Sequence, residues 1–86
     1  IGFHPDDPPV PKLFGVPRIL SNFENFKKAL KIGNSPNIAV CLCAGTWAEG
    51  GPGMGIDPAG AIRYFGARKQ IYEVHFRNVS AALPRF

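Results

Sequence analysis

Eighty-six residues with a net charge of +4, 45% hydrophobic residues, nine prolines and ten glycines point to one small α/β unit with long loops and exclude a helical bundle or a disordered segment. No apolar run approaches the ~20 residues of a spanning helix and no signal peptide is present, so a soluble protein that engages no membrane is expected. Of the ten Lys and Arg only Lys27, Lys28 and Lys31 draw together; they read as the solvated face of a helix, not a nucleic-acid footprint, which needs basic residues interleaved with stacking aromatics.

Residues 1–4 read as the last turns of a strand, followed by Pro5-Asp6-Asp7-Pro8-Pro9, whose prolines end the ladder and stiffen the exit. A loop runs on to about Leu20. Ser21-Asn22-Phe23-Glu24 then matches a capping box with Ser21 as cap, opening a helix over about 22–32. Phe23, Phe26 and Leu30 form its buried stripe, Lys27, Lys28 and Lys31 face water near its negative end, and Gly33-Asn34 stops it.

Residues 38–43, Ile-Ala-Val-Cys-Leu-Cys, are apolar on both faces, as in a parallel strand covered on each side. Ala44-Gly45-Thr46 ends it, and a glycine-rich loop from Trp47 to Ile56 follows, in which Trp47 is expected to pack inward. Gly50, Gly51, Gly53 and Gly55 do not make a dinucleotide loop, since Pro58 stands where a third glycine is required. Asp57-Pro58 reads as N-cap and first residue of a second helix, about 58–65, with Ile62 and Phe65 buried and Gly66 as its stop. The third strand, about 71–76, alternates, sending Glu73, His75 and Arg77 to one face and Tyr72, Val74 and Phe76 to an apolar one.

The order strand, helix, strand, helix, strand implies two crossover units and parallel strands. Spacings between strand ends, at His4, Cys43 and His75, lie somewhat above the ~31 residues per unit of a (β/α)8 barrel of ~250 residues, so the chain is expected to be a single partial domain, 1–86, cut from a TIM barrel. It opens inside a strand and stops at Phe86 within a loop, and such a piece would expose two sheet edges and need the rest of its barrel or a partner.

His4, Cys43 and His75 each fall at the end of a parallel strand and should converge at one rim. Two imidazoles and a thiolate suit a borderline transition metal, and three ligands with open positions suit catalysis. Cys41 would lie a layer deeper as a small apolar residue. The two cysteines would point to the same side of one strand, where neighbours of that kind do not form a normal disulfide, and suit a reducing compartment. Asp6 or Asp7 would accept the second N–H of a metal-bound histidine. Arg77 would hold a substrate carboxylate bidentately and Asn78 donate to a hydroxyl. Glu73 on the ligand face would, in a barrel, be a buried carboxylate, paired or protonated.

His4-Pro5-Asp6-Asp7-Pro8-Pro9, Gly33-Asn34-Ser35-Pro36-Asn37, Leu42-Cys43-Ala44-Gly45 and His75-Phe76-Arg77-Asn78-Val79 together resemble the mannonate dehydratase family, as a segment from the C-terminal half of its barrel. The resemblance implies a TIM barrel, a hydro-lyase converting D-mannonate to 2-dehydro-3-deoxy-D-gluconate in hexuronate catabolism, and Mn2+ or Fe2+ as cofactor. It places the metal ligands on His4, Cys43 and His75, with a fourth, an aspartate, and the acid/base residues beyond Phe86. The isolated piece is therefore expected to be inactive, and the parent enzyme cytoplasmic and a homo-oligomer. Glu73 and the loop carrying Trp47 and Glu49 depart from the family pattern. A metal-dependent sugar isomerase of the same barrel class, or a non-catalytic fragment in which these residues only pack, are the alternatives.

Overall fold

The computed structural model describes residues 1–85. Three strands, β1 (Gly2–Phe3), β4 (Ala39–Cys43) and β5 (Ile71–His75), form one sheet in the order β1-β4-β5, with both neighbouring pairs parallel. Parallel neighbours require long crossovers, and helices α1 (Phe23–Gly33) and α3 (Pro58–Ala67) lie in them. The result is an α/β layer structure with β4 as its central strand.

Alternation along β4 divides the molecule. Val40 and Leu42 are fully buried and join the hydrophobic core, which gathers Phe23, Phe26 and Leu30 from α1, Ala61 and Phe65 from α3, and Trp47 and Met54. Phe23 and Phe65 meet edge to face there with ring centroids 5.6 Å apart, and Phe26 lies tilted against Trp47 at the same 5.6 Å, contacts that add to simple burial. Cys41 and Cys43 occupy the opposite face of β4.

Helix α1 has the expected buried stripe and ends on Asn34, whose left-handed backbone (φ 43°) returns its N–H to Leu30 O. Its N-cap is Asn22 and not Ser21: Asn22 Oδ1 accepts from the backbone N–H of Asn25 at 2.9 Å, while Ser21 is buried. Lys28 and Lys31 face water, whereas Lys27 lies 4.7 Å over the Phe23 ring and pairs with Glu24.

Other segments differ from the sequence reading. The stretch after Cys43 is no loop: Ala44–Gly50 form helix α2, continued by a 3-10 turn over Gly51–Met54. Trp47, fully buried, anchors that helix to the core. In α3, Ala61 and not Ile62 is the buried partner of Phe65, Ile62 being 44% exposed, and Gly66 lies inside the helix, which is capped by Arg68. The long loop after β1 contains a hairpin of β2 (Lys12–Leu13) and β3 (Val16–Pro17).

Strand β5 breaks strict alternation. A register shift opposite Val40/Cys41 leaves Ile71 packed on the core and brings Tyr72 to Gly2, where an added Cβ would meet Tyr72 Cδ2 at 3.1 Å and Cys41 Cβ at 3.4 Å. Tyr72, Val74 and Phe76 are all exposed, because β5 is an edge strand with no helix laid over its outer side. No helix among the described residues is long and apolar enough to cross a membrane.

Candidate metal centre

The rim at the carboxyl ends of β1, β4 and β5 is built by register. Cys43 stands opposite His75 in the β4–β5 ladder, and His4 follows directly on β1, the other neighbour of β4. The structure brings these three residues together: one ligand atom from each lies within 4.8 Å of the others, and the two imidazole centroids are 5.2 Å apart. Cys43 is buried and both histidines are exposed, so the thiol sits at the base of an open site.

Each group is oriented from behind. His4 Nδ1 is 2.7 Å from the carbonyl oxygen of Pro5, which can only accept, so Nδ1 carries the proton and Nε2 keeps a free lone pair. Thr46 Oγ1 donates to Cys43 Sγ at 3.1 Å. Arg77 Nη2 lies 3.9 Å from the same sulfur and 3.2 Å from Thr46 Oγ1. Burial would push the Cys43 thiol up, but the hydrogen bonds from Thr46, Arg77 and His4 outweigh it and hold it below an ordinary cysteine.

Arg77 is itself anchored. Its Nη1 donates to Glu49 Oε1 at 2.7 Å, and Nη2 reaches Asp7 Oδ2 at 3.4 Å. Glu49 is only 2% exposed, and its Oε2 has no partner among the described residues. Burial and then the neighbouring Asp7 raise its pKa, Arg77 pulls it back, and the balance is upward. Glu49 in turn raises that of Arg77. Gly45 permits this packing: a Cβ there would stand 2.6 Å from Arg77 Nε.

The sequence reading missed Thr46 and Glu49 as parts of this site. The signal was their spacing: Cys43, Thr46 and Glu49 recur every third residue, one face of the helix that the glycines disguised. Arg77 is not free to grip a carboxylate through both terminal nitrogens, because Glu49, Thr46 and Asp7 already engage them. Asp6 and Asp7 are also placed elsewhere than on His4. Asp6 accepts from Arg18 at 3.1 Å and from the Leu20 N–H at 2.8 Å, and the Pro5 carbonyl takes the role expected of a carboxylate. Asn78 turns its Oδ1 back to the N–H of Val79 at 2.9 Å. Glu73 is 56% exposed in this three-stranded segment. Cys41 is buried as expected, yet its sulfur lies 3.5 Å from His75 Nε2, and burial followed by the Glu73 carboxylate raises its pKa.

Comparison with known proteins bears on this arrangement. A family model described as D-mannonate dehydratase (UxuA) matches residues 1–84. Mannonate dehydratase 2 of Halalkalibacterium halodurans is 36% identical over 85 residues, covering 99% of this chain and 24% of its own length. The mannonate dehydratase of Thermotoga neapolitana is 39% identical over 83 residues, 92% of this chain and 21% of its own. That of Saccharophagus degradans is 43% identical over 76 residues, 88% and 18% respectively. The chain thus spans about a quarter or less of the length of these curated relatives.

Proposed function

Because the chain belongs to the D-mannonate dehydratase family, we propose that it supplies one metal-binding rim of a hydro-lyase that converts D-mannonate to 2-dehydro-3-deoxy-D-gluconate and water. The observation that carries this reading is the mutual approach of His4, Cys43 and His75 to within 4.8 Å. Two imidazoles and a thiolate fit a borderline divalent metal with positions left for substrate oxygens, and we assign Mn2+ or Fe2+. The parallel β1-β4-β5 sheet is then three successive strands of a TIM barrel, whose remaining strands, fourth ligand and acid/base residues belong to the rest of the enzyme.

When bound, the metal supplies Lewis-acid stabilisation of the negative charge that develops as the proton α to the substrate carboxylate leaves. The residues of this chain prepare the site for it. Pro5 fixes the His4 tautomer so that Nε2 faces outward. Hydrogen bonds from Thr46 and Arg77 hold the Cys43 thiol below an ordinary cysteine and so ease its deprotonation by a metal, and Arg77, pinned by Glu49, puts a permanent positive charge behind it. The 43% of the Arg77 side chain left exposed faces the rim and attracts an anionic substrate without gripping it bidentately. Two free cysteines suit a reducing, cytoplasmic enzyme, and the open flanks of the sheet suit the rest of a barrel assembled as a homo-oligomer.

Metal content by elemental analysis, wild type against His75→Ala in the complete enzyme, together with an assay for the keto-deoxy acid from D-mannonate, tests this reading. Stoichiometric Mn or Fe that is lost in the variant, with product formed by the wild type, is expected. Metal with a ketose product instead would favour a sugar isomerase, and no specific metal in the wild type would reduce the cluster to packing.

A further inference from the structure

A second group of ligands lies below the rim. The β4–β5 register pairs Cys41 with Glu73, one step deeper than the pair Cys43 and His75. Cys41 Sγ is 3.5 Å from His75 Nε2, and Glu73 Oε1 is 3.9 Å from the same nitrogen. One ligand atom from each of Cys41, Glu73 and His75 lies within 4.8 Å of the other two. Bonds of about 2.0–2.1 Å to an imidazole nitrogen and about 2.3 Å to a thiolate, at a tetrahedral angle, separate nitrogen and sulfur by about 3.5 Å. The observed spacing between Cys41 and His75 matches it.

We propose that Cys41, Glu73 and His75 form a second cation position, selective for a thiophilic divalent ion such as Zn2+, that competes with His4 and Cys43 for His75. Charge distinguishes the two sets. The upper one offers one sulfur and no carboxylate, with the Arg77 guanidinium 3.9 Å away, so its ligand set carries the smaller negative charge. The lower one offers a thiol that a bound cation would deprotonate, together with a carboxylate, and among the described residues no lysine or arginine pairs with Glu73. A cation with high affinity for thiolate and no demand for six oxygen ligands gains most there. Since Nε2 of His75 faces Cys41, an ion held below draws that imidazole away from the rim, so zinc in excess switches the upper site off. Glu73 is exposed enough to admit the ion and Cys41 buried enough to retain it.

The test removes the upper pair first, and so does not depend on that site being catalytic. Equilibrium dialysis with Zn2+ alone, and Co2+ absorbance in the near ultraviolet for thiolate-to-metal charge transfer, are read on the complete protein carrying His4→Ala and Cys43→Ala. One bound Zn2+ per chain and a charge-transfer band are expected. Adding Cys41→Ala should remove the band and weaken Zn2+ binding by more than the roughly 10–100-fold typical of losing an orienting neighbour. Glu73→Gln, at an exposed position that leaves the core untouched, should weaken binding at least about tenfold with far-UV circular dichroism unchanged. Absence of Zn2+ binding in the folded double variant, or Zn2+ and the band retained after Cys41→Ala, overturns the proposal.

Discussion

Arg77 and Glu49, 28 residues apart in sequence, meet at 2.7 Å behind the Cys43 thiol. The strand order brings them together: Glu49 lies on the helix that leaves β4, Arg77 on the segment that leaves β5, and the two strands are neighbours. A carboxylate that is 2% exposed thus fixes a guanidinium that is 43% exposed, and the guanidinium passes that constraint to the sulfur.

Glu49→Gln separates this positioning from stability. Removing the charge relieves the desolvation of a buried carboxylate while losing its attraction to a half-exposed arginine, two effects that nearly cancel, so the unfolding free energy from urea titration should change by less than about 1 kcal/mol. Arg77 loses its anchor, however, and competition with a chelator should show metal affinity reduced roughly 10–100-fold.

Gly45→Ala reaches the same arginine from the other side. The new methyl would stand 2.6 Å from Nε and 2.8 Å from Cζ of Arg77, and the flexible side chain, not the helix, will yield. The expected result is metal affinity lowered about tenfold with an unchanged far-UV spectrum; an unchanged affinity would show that Arg77 does not position Cys43.

The start of α1 offers a direct test of capping. Asn22→Ala removes the acceptor for the Asn25 N–H and should cost about 1 kcal/mol. Ser21→Ala, which leaves that bond intact, should cost less, and equal losses would restore Ser21 as a cap. Thermal or urea unfolding measures both.

Trp47 combines full burial with an indole N–H that has no partner among the described residues. Trp47→Ala should destabilise by about 3–5 kcal/mol through the cavity it leaves. Trp47→Phe should lose much less, because deleting an unsatisfied buried donor offsets part of the lost packing.

The contrast between these residues shows what a sequence of this kind discloses. His4, Cys43 and His75 were legible because each ends a segment whose strand character is strong, and parallel strands place such ends side by side. The buried stripe of α1 was legible for the same local reason. Helix α2 was not: its glycines and the missing cap at Cys43 conceal a helix that tertiary packing of Trp47 imposes. The Arg77–Glu49 pair has no local signature, since its spacing is set by the sheet. The shift in β5 that displaces Tyr72 depends on the register with β4, which the pattern of one strand does not contain.

The loop after His4 is tied at its base. Asp6 donates its N–H to Leu20 O at 2.9 Å and receives the Leu20 N–H and the Arg18 guanidinium on its carboxylate, while Arg18 N–H closes on Pro11 O at 2.9 Å. The hairpin beyond this knot is therefore insulated from the imidazole that precedes it. A lineage can lengthen, shorten or recharge the tip around Phe14, which is 96% exposed, without moving His4, so new surface specificity can be tried there while the rim below stays in place.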